Sequence, residues 1–474
     1  MPPEFRGTSF LINCFNHNIF PDEQWLPSHI IVKLPPMTST VTTLLFSFLV
    51  TAILDTTNFI HAVTLKAALL REGKLAFNSN IRLLSNASSH GPNAWYMNFV
   101  SCLGLGITYG ALSAATTDVV PLSKYNDKTK LFERHERDQS SDFIDINGPA
   151  VTFLGVGILL QAIVSTYSLF GSPAVLTWGN CVLANAKAVA KIKDSDRDLC
   201  HDTSPDFPRP MSKQPSMLEA VPQINLIRRL IWTYCGLFVA ICIAHGIYIS
   251  KNSYPTLDIV EWSPDTDVYW RYYGASSWLY VRTRAGKSSS FTLGLVIQVL
   301  LQSFIAFGLH CIELLFNISR DEATWRQMEF VGSKVDPSFS TNFRWQTLLM
   351  MSFKALTQWV FGFAFTADIM FNCAILPEVA LALLFLVLAV AAEYMTRNHP
   401  KGNLPAVYGN FNRMIEIVDD WEHKRLFWGD KGESVGGTRF AGTAGQRLAD
   451  LQAGKNYCNF GCSKIELEHK ALDI

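Results

Sequence analysis

Residues 379–395 read VALALLFLVLAVAAEYM, and Glu393 is the only charged side chain among them. With the residues just before it, the apolar run covers 373–395. A helix needs about 20 such residues to cross the hydrocarbon of a bilayer, so this stretch predicts a transmembrane helix. The same criterion selects 42–64, 95–116, 148–170, 229–250, 291–316 and 346–367, about seven spans in all. Lys354 stands in the middle of the sixth. A further stretch at 174–190 reads as an interfacial helix rather than a span.

The composition agrees. The chain is 49% hydrophobic and 17% charged, against about 25% charged in soluble domains, and its mean hydropathy is +0.16. Lys+Arg and Asp+Glu both number 40, so there is no basic excess to meet a nucleic acid. The first partner implied is the lipid bilayer; a small solute or a protein partner is the second. Several of the Cys (Cys102, Cys235, Cys242, Cys311) lie in apolar runs, where Cys acts as a small hydrophobe. No disulfide framework, zinc spacing or Walker motif stands out, and no cofactor is expected.

The predicted fold class is all-α: a polytopic transmembrane bundle over 41–396 with a small cytosolic C-terminal appendage. Residues 1–40, rich in Pro, form an irregular N-terminal arm. Residues 194–222, rich in Ser, Pro and Asp, read as a disordered linker. Residues 251–290 form the largest outer loop, and 397–474 the cytosolic tail. Lys and Arg are more frequent in the first, third and fifth loops and just after the last span. The positive-inside rule then places the N-terminus outside and the C-terminus in the cytosol.

Charged groups inside a membrane are costly and must face protein or water. The fifth span carries Gln298, Gln302, His310, Glu313 and Asn317 on one face. The sixth aligns Thr347, Lys354 and Gln358, and the first Thr51, Asp55 and Asn58, with His61 beyond. Lys354 can pair with Glu313 or with Asp55. Asp55, Gln302, His310, Glu313, Lys354 and Gln358 are therefore candidates for an intramembrane binding cluster, with a buried structural ion pair as the competing reading. His310 and Glu313, three residues apart, also form a weak two-ligand metal pair with Asp55 as a third ligand. After the fifth span come Arg320, Asp321, Glu322 and Arg326, a charge cluster that either clamps the tail, through 429–432 or Asp419 and Asp420, or forms a solvated helix end with local ion pairs. In the second span Gly106, Gly110 and Ala114 form a small-residue packing face.

Several segments together resemble an uncharacterised family of fungal polytopic membrane proteins: LREGKLAFNSNIRL (70–83), GPNAWYMN (91–98), GLHCIELLFNISRDEATWR (308–326), WQTLLMMSFKALTQWVFG (345–362), LPAVYGNFNRMIEIVDDW (404–421), FWGDKG (427–432) and RFAGTAG (439–445). The resemblance implies a fungal source and a membrane location but no activity. The family often has His where this chain has Gln358 and Asn410. Three functional readings follow. The first is a transporter-like or solute-sensing protein using the polar helix faces. The second is a membrane scaffold, and the third a membrane-embedded metal-dependent hydrolase.

Overall fold

The computed structural model describes residues 29–35, 38–81, 85–87, 91–118, 124–126, 131–133, 142–171, 175, 177–179, 181–194, 213–251, 259–263, 266–273, 276–283, 287–335, 345–367, 371–433, 439–452, 455 and 457–459. Most of the arm (1–28) and of the expected linker (195–212) lies outside them.

The apolar runs form the long helices α1 (Thr38–Arg71), α2 (Trp95–Ala115) and α3 (Gly148–Gly171). After the shorter α4 (Val182–Asp194) and the single turn α5 (Met217–Ala220) come α6 (Ile224–Lys251), α7 (Lys287–Phe330), α8 (Trp345–Ala364) and α9 (Ile375–Arg397). Among the described residues, six helices are long and apolar enough to cross a membrane: α1, α2, α3, α6, α7 and α9. The eighth, at 345–364, is as long as a span, but Gln346, Lys354 and Gln358 dilute its apolar content and it falls outside that set.

The exterior of the bundle is apolar. Leu45, Leu49, Phe99, Leu159, Ile163, Leu237, Ile243, Leu300, Leu383 and Val387 are all exposed. A contiguous apolar surface of this kind suits lipid, not water. Polar residues are gathered inside instead: Thr51, Asn58, His61, Gln161, Gln298, Gln302, Lys354 and Glu378 are buried.

Close packing of α2 depends on its small residues. A Cβ on Gly110 would come within 2.8 Å of the Val299 backbone on α7, so only glycine fits. Gly157 of α3 lies as tightly against Thr108. Gln161 donates to the Ser101 carbonyl and accepts from the Ser101 hydroxyl, fixing α3 against α2.

The all-α expectation needs correction at both ends of the bundle. Away from the tail, β1 (His29–Leu34), β2 (Thr116–Asp118) and β5 (Asp142–Asn147) form a three-stranded sheet, and β3 (Lys124–Asn126) pairs with β4 (Leu131–Glu133). The expected outer loop holds the antiparallel strands β6 (Ile259–Ser263), β7 (Thr266–Tyr273) and β8 (Ser276–Thr283). At the tail end β9 (Ser333–Lys334) follows α7. Between α8 and α9 the strands β10 (Phe365–Ala367) and β11 (Phe371–Ala374) extend the β6–β8 sheet.

The tail contains helix α10 (Phe411–Ile417) and strands β12 (Arg425–Glu433), β13 (Arg439–Ala444) and β14 (Tyr457–Asn459). β12 pairs antiparallel with β13 and β9, and β14 joins β13 in parallel. Helical periodicity in 410–421 announces α10, whereas Gly429 admits close strand contact: a Cβ there would strike the Ala449 carbonyl. Asp430 ties this sheet together. It accepts from Arg439 at 2.7 Å, from the Gly432 N–H at 2.8 Å and from the Tyr457 hydroxyl at 2.9 Å. Burial alone would raise its pKa; these donors outweigh burial and hold the carboxyl below its ordinary value.

The appendage is more than the tail. At about 1.5 Å per residue a 44-residue helix such as α7 is about 66 Å long, twice the hydrocarbon thickness of about 30 Å. Its last turns therefore project beyond the membrane, as do those of α1. Leu65, Leu69, Trp325 and Met328 on these ends form one core with Leu404, Val407, Phe411, Met414 and Trp428 of the tail. Helix α4 contributes Val182, Leu183, Ala186 and Val189 to the same core. Residues 182–190, the second half of the stretch expected at the membrane interface, are thus part of a helix packed in the appendage core. Residues 213–221, assigned to the linker, carry a capped turn: Ser216 accepts from the Glu219 N–H, and Glu219 accepts from the Ser216 N–H.

Candidate functional site

Lys354 is the centre of the charged interior. Its ammonium lies 2.9 Å from Asp55 of α1 and 3.0 Å from Glu313 of α7. The two pairings open in the sequence are both made, so two carboxylates share one ammonium. His310 Nδ1 sits 3.0 Å from Glu313, one turn back along α7. The lysine side chain is 5% exposed, but Asp55, Glu313 and His310 are 28–30% exposed. They face a cavity of about 330 Å³.

That cavity lies among α1, α2, α7 and the start of α8. Helical spacing explains its lining. On α1, Asp55, Asn58, Ala62 and Lys66 recur every three or four residues and all reach it. On α7 the same holds for Ala306, His310, Glu313, Asn317 and Arg320. Helix α2 adds Asn98, Ser101 and Cys102, and the segment after α1 adds Asn78, Ser79 and Asn80.

Gln302 and Gln358, expected in the cluster, do not line the cavity. Both are buried, and their side-chain amides make no hydrogen bond among the described residues. Gln298 instead links α7 to α2 and to strand β10, donating to Ser113 Oγ at 2.7 Å and to the Phe365 carbonyl at 2.8 Å. A separate buried pair, His245 with Glu378 at 2.7 Å, joins α6 to α9.

The charge cluster after the fifth span divides by helix face. Arg320 turns to the cavity. Asp321 accepts from the Asn78 amide at 2.8 Å. Glu322 accepts from the backbone N–H groups of Val407 at 3.1 Å and Tyr408 at 2.7 Å, and pairs with Arg326 at 2.8 Å. Arg326 donates to the carbonyls of Lys401 and Leu404, and Trp325 donates to that of Pro405. The cluster does hold the tail, but through 401–408 and not through 429–432 of β12 or Asp419 and Asp420. Lys431 pairs with Asp419 within the tail. Directly after the Val407 and Tyr408 N–H groups the chain turns through the left-handed pair Tyr408 and Gly409, at φ 46° and 74°. Burial, beside Glu322, raises the pKa of the Tyr408 hydroxyl.

The metal pair has a different geometry from the one its spacing suggests. His310 and Glu313 bond to each other, and the space between Glu313 and Asp55 is taken by the Lys354 ammonium. Among the described residues no three His, Cys, Asp or Glu side chains converge as a metal set.

Sequence reasoning missed Lys66, Asn78 and Asn98. The signal for Lys66 is its spacing from Asp55, but a span predicted to end at 64 leaves Lys66 in the first loop.

Six apolar spans, a lipid-compatible exterior and a polar interior make this a multi-pass membrane protein. Comparison with protein-family models, with curated proteins and with solved structures gives no match.

Proposed function

We propose that the chain is a transporter-like or solute-sensing membrane protein whose site is the cavity around Asp55, Glu313, His310 and Lys354. One observation carries this reading: a polar cavity of about 330 Å³ lies inside a bundle of membrane-spanning helices and is lined by both signs of charge. Its size falls at the lower end of small-molecule sites, about 300–1,000 Å³. Ionisable groups in a membrane interior are costly unless they serve a pathway or a partner. In this reading α8 is a seventh span, its polar side turned to the cavity. The N-terminus lies outside and the appendage in the cytosol, and the chain belongs with the fungal membrane proteins its segments resemble.

The test is uptake into proteoliposomes from a panel of amino acids, sugars, carboxylates and phosphates. At least one small polar solute is expected to enter, and Glu313→Gln is expected to slow its entry about tenfold or more by removing one charged contact. If no solute in the panel crosses with the unaltered protein, the transporter reading fails.

A further inference from the structure

The two ends of the cavity differ in charge. Around Lys354, two carboxylates meet one ammonium. About 10 Å further along α7, seven residues at 1.5 Å each, Arg320 reaches the cavity, and Lys66 of α1 reaches it as well. The carboxylate among these two cations is Asp321, 3.8 Å from Arg320. It is already engaged by the Asn78 amide at 2.8 Å and the Ser79 hydroxyl at 3.5 Å, and its side chain is only 2% exposed. This end therefore carries a net positive charge.

Both cations are poorly satisfied by the protein. An ammonium has three donors and a guanidinium five. Among the described residues, Lys66 donates one long hydrogen bond, to Asn78 Oδ1 at 3.4 Å. Arg320 donates one, to Thr347 Oγ1 at 3.4 Å, besides its loose contact with Asp321. Charge-assisted bonds at sites filled by the protein itself are about 2.7–2.9 Å. Arg326, six residues from Arg320, is better provided for: Glu322 lies 2.8 Å away as an ion pair, and two backbone carbonyls accept from its guanidinium at 3.1 Å. Two cations with free donors at one end of a cavity form a seat for an oxyanion.

We infer that Lys66 and Arg320 bind the anionic group, a phosphate or a carboxylate, of the molecule that occupies this cavity. The inference rests on reading the cavity as a binding site, but it fails by a different measurement. The anion can belong to a water-soluble solute or to the headgroup of an anionic lipid, because the same donors recognise either.

The experiment follows the unfolding temperature of the purified full-length protein. In detergent, millimolar inorganic phosphate or succinate is compared with sodium chloride at equal ionic strength. In nanodiscs, phosphatidylcholine is compared with phosphatidylcholine containing phosphatidic acid. Ligand binding to the folded state raises the unfolding temperature by mass action. A rise with the soluble anions identifies a soluble ligand; a rise with phosphatidic acid alone identifies a headgroup. In either case Lys66→Met and Arg320→Gln are each expected to weaken the apparent affinity about tenfold or more. Lys66→Arg, which keeps the charge, and Arg413→Gln, an exposed control, are expected to retain it. The inference is overturned if no anion or anionic lipid exceeds its control, or if the shift survives in both Lys66→Met and Arg320→Gln. An anion-dependent shift without solute uptake leaves the anion seat standing and removes the transporter reading; uptake without the shift does the reverse.

Discussion

Lys354→Met is expected to destabilise the bundle by about 3 kcal/mol, the lower end of the cost of breaking a buried charge pair because cavity water screens part of it. Removing the ammonium leaves Asp55 and Glu313 without the cation they share, with only the His310 imidazole beside Glu313. Thermal unfolding in detergent should then order a series. The double variant Glu313→Gln/Lys354→Met still strands Asp55 and is intermediate. The triple variant Asp55→Asn/Glu313→Gln/Lys354→Met has no charge to strand and is expected to return to within about 1 kcal/mol of the unaltered protein, or to exceed it. Recovery in the triple variant means that stability does not require these charges, and their presence is then left to a binding role. A triple variant as unstable as Lys354→Met would show instead that the cluster sets helix register.

The second large effect is at the junction of bundle and appendage. Glu322→Ala removes the acceptor for two adjacent backbone N–H groups, those of Val407 and Tyr408. Each orphaned buried N–H costs about 1–3 kcal/mol, so a total of about 3 kcal/mol is expected. The loss should be local first, because Glu322 holds 407–408 to α7, while Trp325, Arg326 and Glu329 hold 401–405. Hydrogen exchange at Val407 and Tyr408 should accelerate by about a hundredfold or more, since each 1.4 kcal/mol is a factor of ten. Glu322→Gln, which keeps one acceptor, should lose less. Unchanged exchange at both amides in Glu322→Ala would remove the clamp from the account.

Much of the bundle was legible because the hydrophobic period and the length needed to cross a bilayer are local properties. The run at 379–395 and the other five apolar runs became helices close to their expected limits. Where the ends moved furthest, at the C-terminal turns of α1 and α7, the added residues are held by the appendage core. No hydropathy window senses Trp325 or Leu69 packing against Phe411. The strands were missed for a related reason. Short segments such as 29–34 and 371–374 pair with strands far away in the chain, and a Gly-containing strand such as 439–444 carries little alternation to read.

The site was half legible. Asp55, His310, Glu313 and Lys354 announced themselves as charges in apolar surroundings, and the structure brings these four together. Gln302 and Gln358 share their helix faces, yet a face about 100° wide covers both cavity and helix contact, and these two fall on the contact side. Arg320 sat in a charge cluster whose members point in three directions, which only the helix rotation separates.

The central claim is a water-accessible cavity within a lipid-facing bundle, and cysteine labelling tests it most directly. Cys102 lines the cavity, whereas Leu383 is exposed on the apolar exterior. A maleimide reacts through the thiolate, which forms readily in water and not in hydrocarbon. In permeabilised membranes, with peptide mass spectrometry as the readout, Cys102 is expected to label and a Leu383→Cys variant to remain unlabelled. An unreactive Cys102, or a labelled cysteine at position 383, would contradict the account.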